Sequence, residues 1–402
     1  MYLLDLIGGK NKPMATPGLS LEDLLQPIDL ETFLKKYWEQ KPLHISGEGR
    51  KDYKNIFSIQ DLDTLLRYNN THFIPTFNII KNGTQVPQMN NPSQRDAFET
   101  YSQGNTLLVG SMHNRWKSIG LLCRNFELTL RHPTGATIVT SPNEVQGLSR
   151  HFDGVDVFVI QLEGEKYWQI YNPLESLPLN VDGDSLPADT LLDSPLQEVH
   201  MRAGDLLYIP RGFPHQAFTK ETTSLHLSIC VNVIHWKDLI AEVLSIASEQ
   251  NIELRKSLPI GLLASQGGIG IIEQELHEKL SLLSEIKVDV AIEQLGSKFI
   301  KQMQPLSDGH FTQINHLQDI DLDTVLEKRD GMLCYVFQRG NSAEIHFPGG
   351  SITVPAHVET ALHFIADAEK FTVKNLSGGL SDDSKLVLSR TLVKEGLLRA
   401  KT

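Results

Sequence analysis

Apolar residues in the first part of the chain recur at helical spacing. In "DLETFLKKYWEQKPLHI", Leu30, Phe33, Leu34, Tyr37 and Trp38 form an i, i+3, i+4, i+7, i+8 stripe behind a capping Asp29. This pattern predicts an amphipathic helix that runs towards Pro42. "SIQDLDTLLRY" opens on Ser58 with Asp61 three residues on, an acidic relative of the capping box, and predicts a second helix. Helical spacing returns in residues 110–130.

From about residue 134 to 235 the period changes. Short alternating or apolar runs (TIVTS, VDVFVIQL, KYWQIY, DLLYIP, LHLSICVNV) are separated by Gly, Pro, Asn and Asp. Strands this short and this regularly punctuated indicate a β-sandwich or barrel. Glu163-Gly164-Glu165 reads as a turn between two of them, so that Lys166 would open the returning strand.

Helical spacing then resumes. "WKDLIAEVLSIASEQ" places Trp236, Leu239, Ile240, Val243, Leu244 and Ala247 on one face, and residues 271–303 carry more of the same. The intervening "GGIGII" lacks the spacing and the preceding strand of a nucleotide fingerprint and reads as a loop. After about residue 305, "LDTVLEK" reads as helical, "MLCYVFQ" and "AEIHF" as strands, and "ALHFIADA" as a helix. The last helix lies in "SDDSKLVLSRTLVKEGLL", with Ser381 as cap, acids in the first turn, Lys394 near the end and Gly396 as terminator. There is no internal repeat and no low-complexity tract.

At 402 residues the chain exceeds one ordinary core, so two or three domains are expected. Its 40% hydrophobic and 21% charged residues are those of a globular protein, and no apolar run reaches the ~20 residues that span a bilayer. The opening MYLLDLIGGKNKPM has no basic flank and too short an apolar run for a signal peptide. Cys123, Cys230 and Cys334 lie far apart with no CxxC, which argues against a disulfide framework or thiolate zinc site and for a reducing, intracellular location. A formal charge of −12 disfavours general nucleic-acid binding and suits a basic partner.

Candidate chemistry lies in the β segment. In "SRHFDGVDVFVIQLEGEKYWQIYNP", His151 and Asp153 are two apart, and on a strand such residues share a face and can converge on one ion. A second histidine would complete the two-histidine, one-carboxylate set of non-haem Fe(II) oxygenases, which leaves positions open for cosubstrate and O₂. The dipeptide pattern alone is weak. A second copy, His357-Val-Glu359, has no later histidine in the same unit and reads as incidental. Downstream of the first, "GDLLYIPRGFPHQAF" reads Gly204-x5-Pro210-x-Gly212-x2-His215: a turn, a short strand, a tight turn, then a histidine opening the next strand. That unit can supply the third ligand. His226 alternates with apolar residues and reads as a satisfied strand histidine, and Trp168 and Tyr171 read as packing. Arg211 is a candidate for steering an anionic or peptide substrate, although turns are often basic by chance.

The Gly204–His215 string resembles the second motif of the cupin superfamily. The HxD followed by "VFVIQLEGEKYWQIY" resembles the JmjC-type ribosomal oxygenases, which are 2-oxoglutarate-dependent hydroxylases of ribosomal proteins. "FLKKYWEQKPLHI" is similar to that family's entry segment, and "NLSGGLSDDSKLVLSRTLVKEGLL" to the end of its C-terminal domain. The resemblance implies a mixed α+β chain built on a double-stranded β-helix, the cupin/JmjC jelly roll. It implies three parts: residues 1–235 with N-terminal helices and the barrel (core about 105–235), a helical dimerisation segment at 236–304, and a winged-helix-like domain at 305–402. It implies His151, Asp153 and His215 as Fe(II) ligands, with 2-oxoglutarate and O₂ as cosubstrates. Lys166 would bind the distal carboxylate, helped loosely by Ser141 and Ser228. It implies a basic ribosomal protein as substrate, a homodimer, and a cytoplasmic location (nuclear or nucleolar in a eukaryote).

Independently of family, a lysine at 166 facing inward would be a costly buried charge until a carboxylate arrived to pair with it. Lysine there resembles the histidine-hydroxylating relatives more than the arginine-hydroxylating ones. Thr137 and Val139, however, stand where the former usually carry Asn and Tyr. Residues 306–402 hold 13 acids and 10 bases, the wrong balance for a phosphate-binding module. Two other readings stay open at this level: a cupin acting on a small molecule without 2-oxoglutarate, and a non-catalytic scaffold. Neither membrane nor nucleic acid is expected as a partner.

Overall fold

In the computed structural model, residues 16–48, 53–68, 77–87, 93–179, 194–262 and 269–401 are described. The opening MYLLDLIGGKNKPM segment lies outside them. The chain falls into two units, Ala15–Val233 and Ile234–Thr402.

The first unit begins with helices α1 (Leu21–Leu25) and α2 (Leu30–Lys36), followed by strand β1 (Leu43–Ile45) and helix α3 (Ile59–Tyr68). The Asp29 carboxylate caps α2 by accepting from the Thr32 N–H. The helix stops earlier than its stripe predicts. The N–H groups of Tyr37 and Trp38 both turn back to the Phe33 carbonyl, and Glu39 adopts φ 57°. Ser58 and Asp61 exchange the bonds of a capping box at α3. Strands β2 (Asn78–Lys81) and β3 (Thr84–Gln85), helix α4 (Gln94–Ser102), strand β4 (Thr106–Val109) and helix α5 (Lys117–Leu130) lead into the barrel.

The barrel strands are β5 (Thr134–Ser141), β6 (Asp156–Ile170), β7 (Gln197–Arg202), β8 (Leu206–Ile209), β9 (His215–Phe218) and β10 (Ser224–Val231). The main sheet runs β1-β8-β6-β10-β5-β4-β2-β3, and β7 and β9 flank the second half of β6. Period-two alternation divides the strands between two cores. Phe158, Ile160, Tyr208, Leu225, Leu227 and Ile229 face the N-terminal helices, where Phe33 meets Tyr208 edge-on at 4.9 Å between ring centres. Val157, Val159, Trp168, Ile170, Leu207 and Ile209 form the barrel interior.

The structure corrects the expected turn at 163–165. β6 is one strand of 15 residues that leaves the first sheet and enters the second. Opposite it the register slips: Leu225 pairs with Glu163 while His226 pairs with Gln161, which leaves Leu162 as an extra residue. Gly164, at φ 65°, takes the bend. Because the side-chain period is two, one extra residue flips the face of everything beyond it. Val157 and Val159 point inward before the bulge; Lys166, Trp168 and Ile170 point inward after it.

The second unit holds helices α6 (Trp236–Gln250), α7 (Ile269–Ser281), α8 (Val288–Gln302) and α9 (His310–Asn315), then strands β11 (Val325–Lys328), β12 (Tyr335–Arg339), β13 (Ser342–Phe347) and β14 (Gly350–Pro355). Helix α10 (Glu359–Asp367), strand β15 (Lys370–Thr372), helix α11 (Asp382–Lys394) and strand β16 (Leu398–Ala400) complete it. Two readings are corrected here. "LDTVLEK" ends in β11, the centre of the β15-β11-β16 sheet, because Leu326 and Glu327 find strand partners on both sides and Leu326 becomes fully buried. The end of "GGIGII" belongs to α7, which begins at Ile269. A glycine inside a helix costs only ~1 kcal/mol, less than the following helix-forming run recovers. His357 sits in a 3₁₀ turn and Glu359 opens α10, so this second HxE lies on no strand. α8 is tied to β13 by Ser297, whose Oγ lies 2.6 Å from Nδ1 of buried His346. No helix among the described residues is long and apolar enough to cross a membrane.

Candidate metal centre

The segment before β6 lies against β9, and His151 and His215 form an isolated antiparallel bridge. The His151 N–H donates to the His215 carbonyl at 3.1 Å, and the His215 N–H donates back at 2.8 Å. Residues directly opposite in such a bridge put their side chains on one face, which brings the ring centres within 4.4 Å. Asp153 follows two residues on and is held by its own carbonyl, which accepts the Gly212 N–H at 2.9 Å.

The Pro210-Arg211-Gly212 turn that presents His215 is fixed by a buried polar network. The Asp156 carboxylate, fully buried, accepts from Tyr208 Oη at 2.5 Å and from the Arg211 guanidinium at 2.9 Å, and Arg211 also meets Glu39 at 2.6 Å. Burial pushes the Asp156 carboxyl up despite these donors, and burial together with the Asp156 charge pushes the Tyr208 phenol up. Arg211 is therefore no steering group for substrate. It is 4% exposed and compensates a buried carboxylate.

Ligand atoms of His151, Asp153 and His215 all lie within 4.8 Å of one another, with His215 Nε2 3.6 Å from an Asp153 oxygen. Both histidines spend Nδ1 on a backbone carbonyl, His151 on Ser149 at 2.8 Å and His215 on Phe213 at 3.0 Å. That bond places the ring proton on Nδ1 and leaves each Nε2 lone pair facing its neighbours. Burial, then the neighbouring imidazole, pushes His215 down to about 4, so it is neutral at physiological pH. Two imidazoles and one carboxylate on one side of a point make the donor set of a divalent first-row metal, with the opposite side open.

The open side is a cavity of about 220 Å³. At its far end Lys166 is 1% exposed and its ammonium donates to Ser141 Oγ at 2.7 Å, while Ser141 Oγ lies 2.8 Å from Thr106 Oγ1. No carboxylate pairs with Lys166 among the described residues, and burial pushes it down to about 7. Ser228 lines the wall opposite Thr137, and Val139 lies opposite His226.

His226 differs from the sequence reading. It is buried in a strand as expected, but it lines the cavity and its Nδ1 has no hydrogen-bond partner among the described residues. Trp168 also lines the cavity, with Nε1 unpartnered. The available signal was the polar stripe His226, Ser228 and Cys230 at i, i+2 and i+4, which puts all three on one face of β10. All three line the cavity.

Residues 114–239 match the family model described as the JmjC domain. Fold and site agree with that match, and over those residues the chain is similar to the JmjC domain. Its similarity to individual proteins runs to the ribosomal oxygenases. It is 29% identical over 309 residues to ribosomal oxygenase 1 of Gallus gallus, covering 70% of this chain and 50% of that protein. It is 28% identical over 309 residues to the bifunctional lysine-specific demethylase and histidyl-hydroxylase NO66 of Drosophila persimilis, covering 71% and 44%. The chain thus spans about half the length of these relatives. Among solved structures, the ribosomal oxygenase YcfD from Escherichia coli, in complex with cobalt and 2-oxoglutarate, superposes with a TM-score of 0.57 at 18% identity, over 94% of this chain and 99% of that one. The fold is shared over nearly the whole chain.

Proposed function

We propose that this chain is an Fe(II)- and 2-oxoglutarate-dependent oxygenase that hydroxylates a side chain of a ribosomal protein, histidine in preference to arginine. One observation carries the reading. A three-donor metal site and a buried, carboxylate-free lysine stand at opposite ends of one cavity, as a ligand that chelates at one end and is anionic at the other requires. The names of the sequence relatives and the 2-oxoglutarate bound to YcfD support it.

His151, Asp153 and His215 would hold the metal, and Lys166 with Ser141 would hold the distal carboxylate. Bound Fe(II), with 2-oxoglutarate and O₂, supplies the oxidising power to place one oxygen atom in an unactivated C–H bond while the second leaves in succinate alongside CO₂. This chain's part is to orient and to exclude water. The Nδ1 bonds of the two histidines fix their rings, and Val157, Val159 and Ile209 keep the wall dry. Ser228, beside Thr137, offers a hydroxyl to the cosubstrate. A basic ribosomal segment suits a chain of net charge −12. Residues 236–304 act as a dimerisation segment and 305–402 as a winged-helix-like domain without nucleic-acid binding. The site of action is the cytoplasm, or the nucleus or nucleolus in a eukaryotic cell.

Anaerobic addition of Fe(II) and then 2-oxoglutarate tests this directly. The expected result is the weak visible charge-transfer band of the chelate, and a chain that binds iron without developing it on 2-oxoglutarate addition overturns the reading. Incubation in air with ribosomal proteins should then add the mass of one oxygen atom to a histidine-containing peptide.

A further inference from the structure

Strand β10 presents three polar side chains to the cavity, and they span it from end to end. Cys230 stands nearest the metal site, where the Asp153 charge acts on its thiol. Ser228 is next. His226 lies at the other end, where the Lys166 charge acts on its ring. Two strand residues advance ~6.6 Å, so His226 and Cys230 stand about 13 Å apart along the strand. His226 is therefore an element of the anion-binding end, with the Trp168 ring between it and the ligand His215.

Its environment is unusual for a core histidine. It is 3% exposed, Trp168 meets it edge-on at 5.6 Å between ring centres, and its Nδ1 has no partner among the described residues. A buried polar atom without a partner is destabilising, and one that lines a cavity can be compensated by a ligand. Directly across β5 stands Val139, which offers no hydrogen bond. Burial and the Lys166 charge hold the ring neutral, so one of its nitrogens carries a proton to donate. Across β6 stands Gln161, whose side chain does not bond the ring, so among the described residues no acceptor is engaged by His226 and no carboxylate pairs with Lys166.

Building on the cosubstrate reading above, we infer that His226 is a second anchor for the distal carboxylate of 2-oxoglutarate, donating an N–H alongside the Lys166 ammonium, and that the pair selects a dicarboxylate over a monocarboxylate 2-oxo acid. Lysine supplies charge without direction, while a ring held between two strands and Trp168 supplies direction. Together they satisfy both carboxylate oxygens, which one ammonium and one serine leave under-coordinated.

The experiment is an anaerobic titration of the full-length Fe(II)-loaded protein with 2-oxoglutarate and with 2-oxopentanoate, which keeps the chelating end and lacks the distal carboxylate. His226→Leu should raise the Kd for 2-oxoglutarate roughly 10- to 100-fold, the value of a hydrogen bond to a charged group. It should leave the Kd for 2-oxopentanoate unchanged. His226→Gln keeps a donor and should stay within about fivefold of the parent. Equal 2-oxoglutarate affinity in parent and His226→Leu overturns this inference alone, whereas a parent that binds no 2-oxoglutarate overturns the cosubstrate reading and this inference with it. Should His226→Leu fail to fold, the Zn(II)-loaded parent labelled with ¹⁵N-histidine decides. 2-Oxoglutarate must shift an imidazole resonance that is missing from His226→Gln, and no shift overturns the inference.

Discussion

Lys166 carries the sharpest pH consequence of any single residue. Its ordinary pKa is lowered by burial to about 7, and among the described residues one hydroxyl and no carboxylate bonds the ammonium. An arriving carboxylate favours the charged form and raises that pKa, so binding takes up a proton wherever the pH lies between the free and bound values. Below about pH 7 the lysine is already charged and 2-oxoglutarate affinity is flat. Above it, each pH unit should weaken binding by up to about tenfold until the bound-state pKa is passed. A titration of Kd against pH on the metal-loaded protein checks this, and Lys166→Met should give weak, pH-independent binding. A flat profile in the parent would mean that the lysine keeps its proton without the ligand. Individual residues were unevenly legible from the chain. His151 and Asp153 could be paired from their spacing, while His215 joined them only through the Gly204–His215 motif and the resemblance it carries. His226 could not, because a strand that faces a dry core and one that faces a cavity have the same alternation. Only the polar character of Ser228 and Cys230 on the same face hints at the difference in the sequence.

Among the elements, β6 decides how the two ends of the cavity are held together. Its bulge at Leu162 and its bend at Gly164 set the phase that turns Lys166 inward. Neither is visible as a departure in "VFVIQLEGEKYWQIY". A glycine between two glutamates reads as a turn, and whether the chain reverses there or only bends depends on strands more than thirty residues away. The same dependence on distant partners made β11 look helical in "LDTVLEK". Gly164 gives the element its test. A Cβ there would meet the Thr223 carbonyl oxygen at 1.9 Å, a backbone atom that cannot swing aside, and φ 65° costs any L side chain ~1–2 kcal/mol on its own. Gly164→Ala should therefore lower the melting temperature and disturb the phase of everything after it. The expected signature is graded: 2-oxoglutarate affinity falls sharply because Lys166 is two residues past the bend, while metal affinity falls less because His215, although paired with Ile170, is also held by its bridge to His151. Equal loss of both would show general unfolding and no phase effect.

At the scale of the whole molecule, the outward face of α6 is the feature with no use inside its own unit. The stripe read from the sequence divides in the structure. Of its members Ala247 is buried and Leu239 and Val243 are half-buried; Ile246 and Glu242, outside the stripe, are buried too, and Glu242 pairs with Lys298 of α8. Trp236, Ile240 and Leu244, at i, i+4 and i+8, remain 80%, 59% and 46% exposed. Scattered apolar residues on a surface need no explanation, but a tryptophan, an isoleucine and a leucine in register on one helix face do. Leu276 and Leu280 of α7 and Ile292 of α8, in the same unit, are similarly exposed. A second copy of the chain is the partner that the proposed dimerisation segment calls for, and a two-fold interface needs only one such face because it meets itself. Sedimentation equilibrium or light scattering should therefore report twice the 45.1 kDa of one chain, with little dependence on salt because the face is apolar. Trp236→Glu combined with Ile240→Glu puts like charges against each other across the axis, and should yield a monomer with far-ultraviolet circular dichroism close to the parent. The 2-oxoglutarate band should survive in that monomer, since every side chain assigned to the cavity belongs to the first unit. A parent of single-chain mass would remove the dimer while leaving the metal site intact.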